Sequence, residues 1–140
     1  MQKLLTGSYP DALQGYAPLV LRVVVGLVFA LHGYQKLEGG VAGVSGFLGG
    51  LGFPMPALFA ILLIAAELVG GIFLILGLFN YWTSRILGIV AIVALLTVHV
   101  TKGFFLTSGG YEYILLILAV TISLMITGPG KWSLDRMIWK

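Results

Sequence analysis

The amino-acid sequence predicts an all-α integral membrane protein, a four-helix up-down bundle with a short amphipathic helix in its first outer loop. Hydrophobic residues make up 59% of the 140-residue chain and charged residues only 9%, against roughly 25% charged residues in soluble domains. A chain this short buries a limited share of its surface, so the surplus apolar surface must face lipid. The apolar residues also fall in four stretches, each near the ~20 residues that a spanning helix needs.

Length and composition restrict the classes of protein further. The chain fits a single domain covering residues 1–140. Its net charge is +3, but the basic residues are scattered singly, so we expect no nucleic-acid partner. It contains no cysteine, which excludes disulfides, thiolate metal sites and thiol redox chemistry within this chain. Residues 1–18 are too polar for a cleaved signal peptide, so the first span itself is expected to enter the membrane.

Helix start and stop signals bound the spans, which cover about residues 18–36, 56–79, 81–100 and 111–127. Pro18 and Pro56 suit the first turn of a helix, where the missing amide donor costs nothing. Gly128 and Pro129 end the last span. The connection over 78–84 is short, which predicts that the second and third spans form an antiparallel hairpin.

The first outer connection, residues 37–55, is long and rich in glycine. Its larger apolar residues recur at three-to-four spacing, which predicts a short amphipathic helix lying on the outer face: Val41, Val44, Phe47, Leu48 and Leu51. The glycine pairs 39–40 and 49–50 are expected to break the helix at its two ends. Such a segment either covers a bound molecule as a lid or seals the mouth of the bundle, and the sequence leaves both roles open.

The distribution of basic residues predicts the orientation. Four spans put both termini on one side, and most basic residues lie there: Lys3, Arg22, Arg85, Lys131, Arg136 and Lys140. Only Lys36 and Lys102 lie on the other side, so the positive-inside rule places both termini in the cytoplasm. Three tryptophans on that side form an aromatic belt: Trp82, Trp132 and Trp139. Arg22 and Arg85 lie near the cytoplasmic ends of their spans and are expected to extend toward the headgroups.

Polar side chains in the outer half of the bundle define the candidate ligand-binding site. Ionisable groups at membrane depth are expensive, so each needs a partner or a purpose. Six such residues come from all four spans and are expected to converge on one pocket: His32, Gln35, Lys36, Glu67, His99 and Glu112. The alternative is that these groups only satisfy one another at the membrane interface.

Glu67 is the most informative of the six. It lies eleven residues into the second span, about 16 Å from its start. Gly70 and Gly71 follow it and allow close approach of another helix, so the carboxyl group is expected to point into the bundle. There it must be protonated or paired with a cation such as Lys36 or Arg22. The sequence leaves open whether it serves proton or ligand chemistry or only fixes helix packing.

The two histidines allow more specific interpretations. His32 and His99 are the minimum for bis-imidazole haem ligation, and with Glu112 they would make a two-histidine, one-carboxylate metal site. No HxxxH spacing supports either, so we predict no metal site and do not favour haem. A further interpretation is that His32, Gln35 or His99 donates a hydrogen bond to a carbonyl of a lipid-soluble ligand.

Ordered segments of the chain resemble the DoxX family of small four-helix bacterial membrane proteins. The resemblance runs from about residue 21 to residue 136, and the segments that carry it are 22–26, 32–36, 52–56, 67–71, 76–79, His99, 110–113 and 127–135. It implies that the following positions match the family's pattern, without fixing their roles: Arg22, His32, Lys36, Glu67, His99 and Glu112.

The resemblance implies a role in membrane redox chemistry. Some members are linked to thiosulfate:quinone oxidoreductase and others to oxidative-stress responses; the thiol mechanism of related quinone enzymes cannot carry over to a chain without cysteine. We therefore expect a bacterial inner-membrane subunit that binds a quinone or similar amphiphile and supports electron transfer by a partner protein. Whether it is an enzyme or a homo-oligomer stays open. The alternatives are a non-catalytic scaffold or assembly factor and, less favoured, a transporter of a small solute or lipid, since no inverted repeat is evident.

Overall fold

A computed structural model describes residues 11–139, which form helices and connecting loops without any β-strand. One helical turn, Asp11–Gln14, precedes the main helices. These are α1 (Tyr16–Glu38), α2 (Val41–Gly50), α3 (Pro56–Leu76), α4 (Asn80–Ala94), α5 (Glu112–Thr127) and α6 (Leu134–Ile138). The all-α prediction is confirmed.

Three helices are long and apolar enough to cross a membrane: Tyr16–Glu38, Pro56–Leu76 and Asn80–Lys102. The last of these is α4 continued through a π-helical turn, Leu95–His99, and a 3₁₀ turn, Val100–Lys102. The fourth predicted span corresponds to α5, which has 16 residues and is therefore about 24 Å long. It ends where the sequence predicted, because Gly128 follows it with a φ of +75°.

Helices α1 and α3 pack backbone against backbone, and glycines make this possible. A Cβ atom on Gly33 would lie 2.4 Å from the amide nitrogen of Leu68, and one on Gly71 would lie 2.4 Å from that of Ala30. Farther along, a Cβ on Gly26 would lie 2.9 Å from the amide nitrogen of Ile75. Any side chain at these positions would push the two helices apart. Because later residues of α1 contact earlier residues of α3, the two helices are antiparallel.

The other face of α3 packs against α4, which in turn packs against α5. A Cβ on Gly70 would lie 3.2 Å from Cδ2 of Leu87, and one on Gly88 would lie 3.5 Å from Oγ1 of Thr121. Only three residues connect α3 to α4, so the two form the predicted helical hairpin. The buried apolar core comprises Val25, Phe29, Leu74, Leu87, Ala91, Ile117 and Leu124.

The glycine-rich connection after α1 contains the predicted short helix, α2, which packs on α3. Gly40 precedes it with a φ of +82° and Gly52 follows it with a φ of +84°. Of its larger apolar side chains only Leu48 is buried. Ser45 is the one polar residue within the helix, so α2 is apolar on nearly all sides, which suits contact with lipid, and is not amphipathic as predicted.

The segment after α5 folds back onto the ends of two other helices. The Lys131 amide donates a hydrogen bond to the Gly15 carbonyl (2.8 Å), next to the start of α1. The Asp135 carboxylate accepts hydrogen bonds from the amides of Phe79 (2.7 Å) and Asn80 (2.8 Å), at the start of α4. These amides have no partner within their own helix, so the carboxylate acts as a cap and also meets the positive end of the helix dipole.

Candidate functional site

Lys36 and Glu67 form an ion pair between α1 and α3. Nζ of Lys36 lies 2.5 Å from Oε2 of Glu67, and the side chains are 28% and 9% exposed, respectively. Of the two states predicted for the carboxyl group, the structure shows the paired one, and its partner is Lys36. Arg22, the other cation considered, binds elsewhere.

The local sequence explains why this pair can form. Gly33 precedes Lys36 by one turn, so both lie on the same side of α1. Because Gly33 lets α1 approach the backbone of α3 at Leu68, the side chain of Lys36 reaches the adjacent Glu67. Two charges removed from water gain little net stability from each other, whereas removing one of them leaves a costly unpaired charge.

His99 and Glu112 bind a different part of the chain, the loop that connects α4 to α5. Nδ1 of His99 lies 2.7 Å from the carbonyl oxygen of Gly109, and this hydrogen bond requires a proton on Nδ1. Oε1 of Glu112 accepts a hydrogen bond from the Leu106 amide (2.6 Å). His99 also ends the π-helical turn, a feature often found at functional sites. Both side chains therefore order the backbone of this loop.

His32 and Gln35 are exposed on the surface of α1. Among the hydrogen bonds formed within residues 11–139, none involves the side chain of either residue. His32 lies one turn before Lys36 along α1. The structure thus joins Lys36 to Glu67, and the convergence of all six candidates on one pocket stays a prediction. Within residues 11–139, no group of three or more His, Asp and Glu side chains is placed to hold a metal ion.

Arg22 is a buried charged residue whose contacts the sequence did not predict. Its side chain is 1% exposed, so the prediction that it extends toward the headgroups is wrong. All five N–H groups of the guanidinium point at backbone carbonyls, which belong to Leu74, Ile75, Pro129, Lys131 and Trp132. Two of these carbonyls, those of Leu74 and Ile75, are in the last turn of α3, where helical carbonyls lack their usual partner four residues on; the carbonyl of Leu74 also accepts the Gly77 amide (3.1 Å). Arg22 therefore joins α1 to the end of α3 and to the turn after α5.

Arg85 is half-buried near the start of α4. Its guanidinium lies 3.4 Å from the centroid of the Tyr81 ring and donates a hydrogen bond to the Tyr81 carbonyl (2.7 Å). This is a cation–π contact of the kind that Arg makes readily at a partly wet surface. The expected extension toward the headgroups stays a prediction for this residue.

Two cavities open at the end of the molecule that holds Arg22, with volumes of about 350 and 430 Å³. They lie on either side of the turn at Gly128 and Pro129, and Arg136 lines both. None of the six candidate residues lines either cavity. Lys36 is fourteen residues along α1 from Arg22, a distance of about 21 Å.

These features define a small all-helical membrane protein in which an ion pair joins two apolar helices. The chain belongs to the DoxX family, whose family model matches residues 17–100. The match covers α1 from its second residue, all of α2 to α4, and five of the six candidate residues, all but Glu112. The family prediction is confirmed.

Relatives of similar length occur in several bacteria. The chain is 32% identical over 122 residues to CatD of Bacillus subtilis, which is named as a proposed oxidoreductase, with 87% of each chain covered. It is 35% identical over 136 residues to an uncharacterized protein of Haemophilus influenzae, covering 91% of this chain and 97% of the relative. It is 31% identical over 127 residues to the inner membrane protein YphA of Escherichia coli, covering 84% and 87%. No solved structure matches the chain.

Proposed function

We propose that α5 is a fourth span and that the chain crosses the bacterial inner membrane as an up-down bundle with both termini in the cytoplasm. Consecutive helices pair in opposite directions, which supports this topology: Gly33 with Leu68, Gly70 with Leu87, and Gly88 with Thr121. The excess of basic residues at the end with the termini supports the orientation. The name of the Escherichia coli relative, an inner membrane protein, supports the location.

The absence of cysteine makes the orientation simple to test. A cysteine at Ser108, in the exposed loop before α5, is expected to react with a membrane-impermeant maleimide in intact spheroplasts. A cysteine at Met137, which is 67% exposed in α6, is expected to react only after the membrane is permeabilised. The reverse pattern, or reaction of both cysteines in intact spheroplasts, would contradict the proposed orientation.

The function that the geometry supports best is binding of a quinone or similar amphiphile next to the Lys36–Glu67 pair, in support of electron transfer by a partner protein. The observation that carries it is the ion pair itself, which joins two long helices of high hydropathy. Apolar residues of similar volume would hold the helices together as well or better. Charged groups at this depth are typical of ligand and proton sites.

The chemistry of the pair suits a quinone. The Lys36 ammonium has three N–H donors, and within the described residues it uses one of them, to Glu67. The others can donate to a quinone carbonyl, and the carboxylate can relay a proton. Reduction to the quinol takes two electrons and two protons; the partner protein supplies the electrons, and this chain binds the ring and passes protons. The name of CatD as a proposed oxidoreductase is in keeping with such a role.

Quinone binding by the purified protein tests the proposal. Solvent extraction and mass spectrometry are expected to show quinone at about one equivalent, and Lys36→Met and Glu67→Gln are expected to bind added quinone more than ~10-fold less tightly. Glu38→Gln is the matched control, because Glu38 is an exposed acid at the end of the same helix. No quinone in the extract together with no binding of added quinone would refute the proposal.

A second candidate, a non-catalytic scaffold, is favoured by the position of the pair directly beside the close contact of Gly33 with Leu68. In this role the two charges only fix the packing of α1 on α3. If the protein is only a scaffold, Glu67→Gln and the double variant Lys36→Met with Glu67→Met must complement a deletion strain, provided that they accumulate at normal levels. The quinone proposal requires that both variants fail to complement the deletion strain although they accumulate at normal levels.

A further inference from the structure

The loop that connects α4 to α5 presents a run of apolar side chains on its surface. Phe104 is 46% exposed, Phe105 67% and Leu106 54%. The 3₁₀ turn before the loop continues this surface, since Val100 is exposed as well. No charged residue lies between positions 103 and 111. Contiguous apolar side chains of this kind indicate a surface that lipid or another protein covers.

The backbone of the same loop makes its hydrogen bonds within the protein. The amides of residues 108–112 donate to the carbonyls of residues 103–106. Two side chains add to these bonds: Glu112 accepts the Leu106 amide (2.6 Å), and His99 donates to the Gly109 carbonyl (2.7 Å). A loop in water can leave its backbone groups to the solvent, whereas a segment in hydrocarbon must satisfy them internally. The hydrogen bonding of this loop therefore suits an apolar environment.

The length of α5 puts the loop near the outer edge of the hydrocarbon layer. Its 16 residues span about 24 Å, whereas the hydrocarbon core is about 30 Å thick. When Thr127 lies at the cytoplasmic boundary, Glu112 lies about 6 Å short of the outer one. The loop is held to this end of α5, because the Glu112 amide donates to the carbonyl of Phe104 (2.9 Å). The loop can therefore supply the apolar length that α5 lacks.

Lys102 and Ser108 mark the side of the loop that faces water. Lys102 is exposed and ends the 3₁₀ turn that continues α4. A lysine at the end of a span keeps its ammonium among the headgroups while its stem covers apolar surface. Oγ of Ser108 lies 3.1 Å from the carbonyl oxygen of Lys102, so this part of the loop is at the level of the ammonium-bearing residue.

We propose that residues 104–106 insert among the acyl chains of the outer leaflet and complete the fourth span, and that His99 and Glu112 position this segment by satisfying its backbone. Lipid is the occupant because the loop has no charged residue to form the polar rim of a protein interface. The inference rests on the proposed topology, in which α5 crosses the membrane, and is independent of quinone binding.

The depth of the loop tests the proposal directly, because a cysteine-free chain accepts a single label. Phe105→Cys is labelled in detergent with a nitrobenzoxadiazole fluorophore and placed in proteoliposomes that carry nitroxide lipids in both leaflets. We expect blue-shifted emission that an acyl-chain nitroxide quenches more strongly than a headgroup nitroxide, and the opposite order for the matched control, Ser108→Cys. Emission typical of water, or blue-shifted emission that neither nitroxide quenches, as under a protein partner, would overturn the proposal.

Maleimide labelling in spheroplasts separates a failure of the insertion from a failure of the topology. Phe105→Cys is expected to react at least ~10-fold more slowly than Ser108→Cys, because a thiol in hydrocarbon does not ionise. If α5 does not cross the membrane, Ser108→Cys and Met137→Cys react from the same side. If those two react from opposite sides and Phe105→Cys is as fast as Ser108→Cys, the topology holds and the insertion is wrong.

Variants of Glu112 test its role as a positioning residue. Glu112→Ala leaves the Leu106 amide without its acceptor, so the segment is expected to move toward water, and acyl-chain quenching of the label at position 105 is expected to fall by about half or more. Glu112→Gln keeps an acceptor oxygen and is expected to retain the quenching. Unchanged quenching in Glu112→Ala, at the helical content of the wild type, would overturn the role assigned to this residue.

Discussion

The replacement Arg22→Met tests the role of the one guanidinium buried at the meeting point of three segments. Methionine matches the aliphatic stem but has no donor, so five backbone carbonyls would lose a hydrogen bond, and the carbonyl of Leu74 would keep the one from the Gly77 amide (3.1 Å). Each unsatisfied carbonyl costs about 1 kcal/mol at the low end of the usual range. The bond to Leu74 is fully buried and the others partly so, and water can reach some of the freed carbonyls. We therefore expect a loss of about 3 kcal/mol in the free energy of unfolding.

Reversible unfolding by sodium dodecyl sulfate in mixed micelles, followed by circular dichroism, measures this loss. Arg22→Lys is expected to be intermediate, because an ammonium has three donors and no planar fork. Arg85→Met is the matched control: its guanidinium makes one hydrogen bond and one ring contact at the surface of α4, worth about 1 kcal/mol or less. Limited trypsin digestion of Arg22→Met is expected to cleave sooner after Lys131, because the turn after α5 is released.

The relative stabilities of these variants decide whether the reasoning holds. If Arg22→Met unfolds within about 0.5 kcal/mol of Arg85→Met, the carbonyl contacts contribute nothing beyond a surface contact and the reasoning is wrong. If Arg22→Lys is as stable as the wild type, only the charge matters, and the five-donor geometry is irrelevant.

Three other predictions use the same unfolding assay. Gly71→Ala is expected to cost about 2–3 kcal/mol because its Cβ would collide with the backbone of α1, whereas Gly46→Ala, where nothing lies within 4 Å, is expected to change stability by less than about 0.5 kcal/mol; equal effects would contradict the close contact. Lys36→Met is expected to cost about 3–5 kcal/mol by leaving a buried carboxylate unpaired, and adding Glu67→Met is expected to restore most of it; a double variant no better than the single one would show that the pair does not act as a unit. Asp135→Asn is expected to cost about 1 kcal/mol by weakening the cap of α4; an unchanged midpoint would mean that the cap contributes nothing.

The sequence was sufficient for most of the helical architecture, because the signals that set it are local. The length of an apolar run bounds a membrane helix, Pro56 marks the first turn of α3, and Gly128 ends α5. The antiparallel contact of α3 with α4 follows from the shortness of their connection. Gly70 and Gly71 in the second span indicated close packing with another helix.

The roles of Arg22 and His99 could not be predicted, because their partners are backbone atoms. Arg22 was expected at the lipid surface because its distance from the end of the span permits that conformation. Its actual partners are carbonyls at the end of α3 and in the turn after α5, and nothing in the sequence marks a backbone carbonyl as the acceptor of a distant side chain. The same holds for His99, which binds the carbonyl of Gly109. Lys36 and Glu67 could be matched because both partners are charged side chains.

The contrast between the two deeply placed cations indicates where a ligand can bind. Arg22 uses all five of its N–H groups on backbone carbonyls, so a ligand would have to displace contacts that hold three segments together. Within residues 11–139, Lys36 uses one of its three donors, and it remains 28% exposed, one turn from the exposed His32. A donor that the fold leaves unused in an apolar environment favours an acceptor supplied from outside the protein. We therefore expect a lipid-soluble molecule to bind at the end of α1 near Lys36. At the end near Arg22 the hydrogen bonds of the guanidinium hold three segments in place.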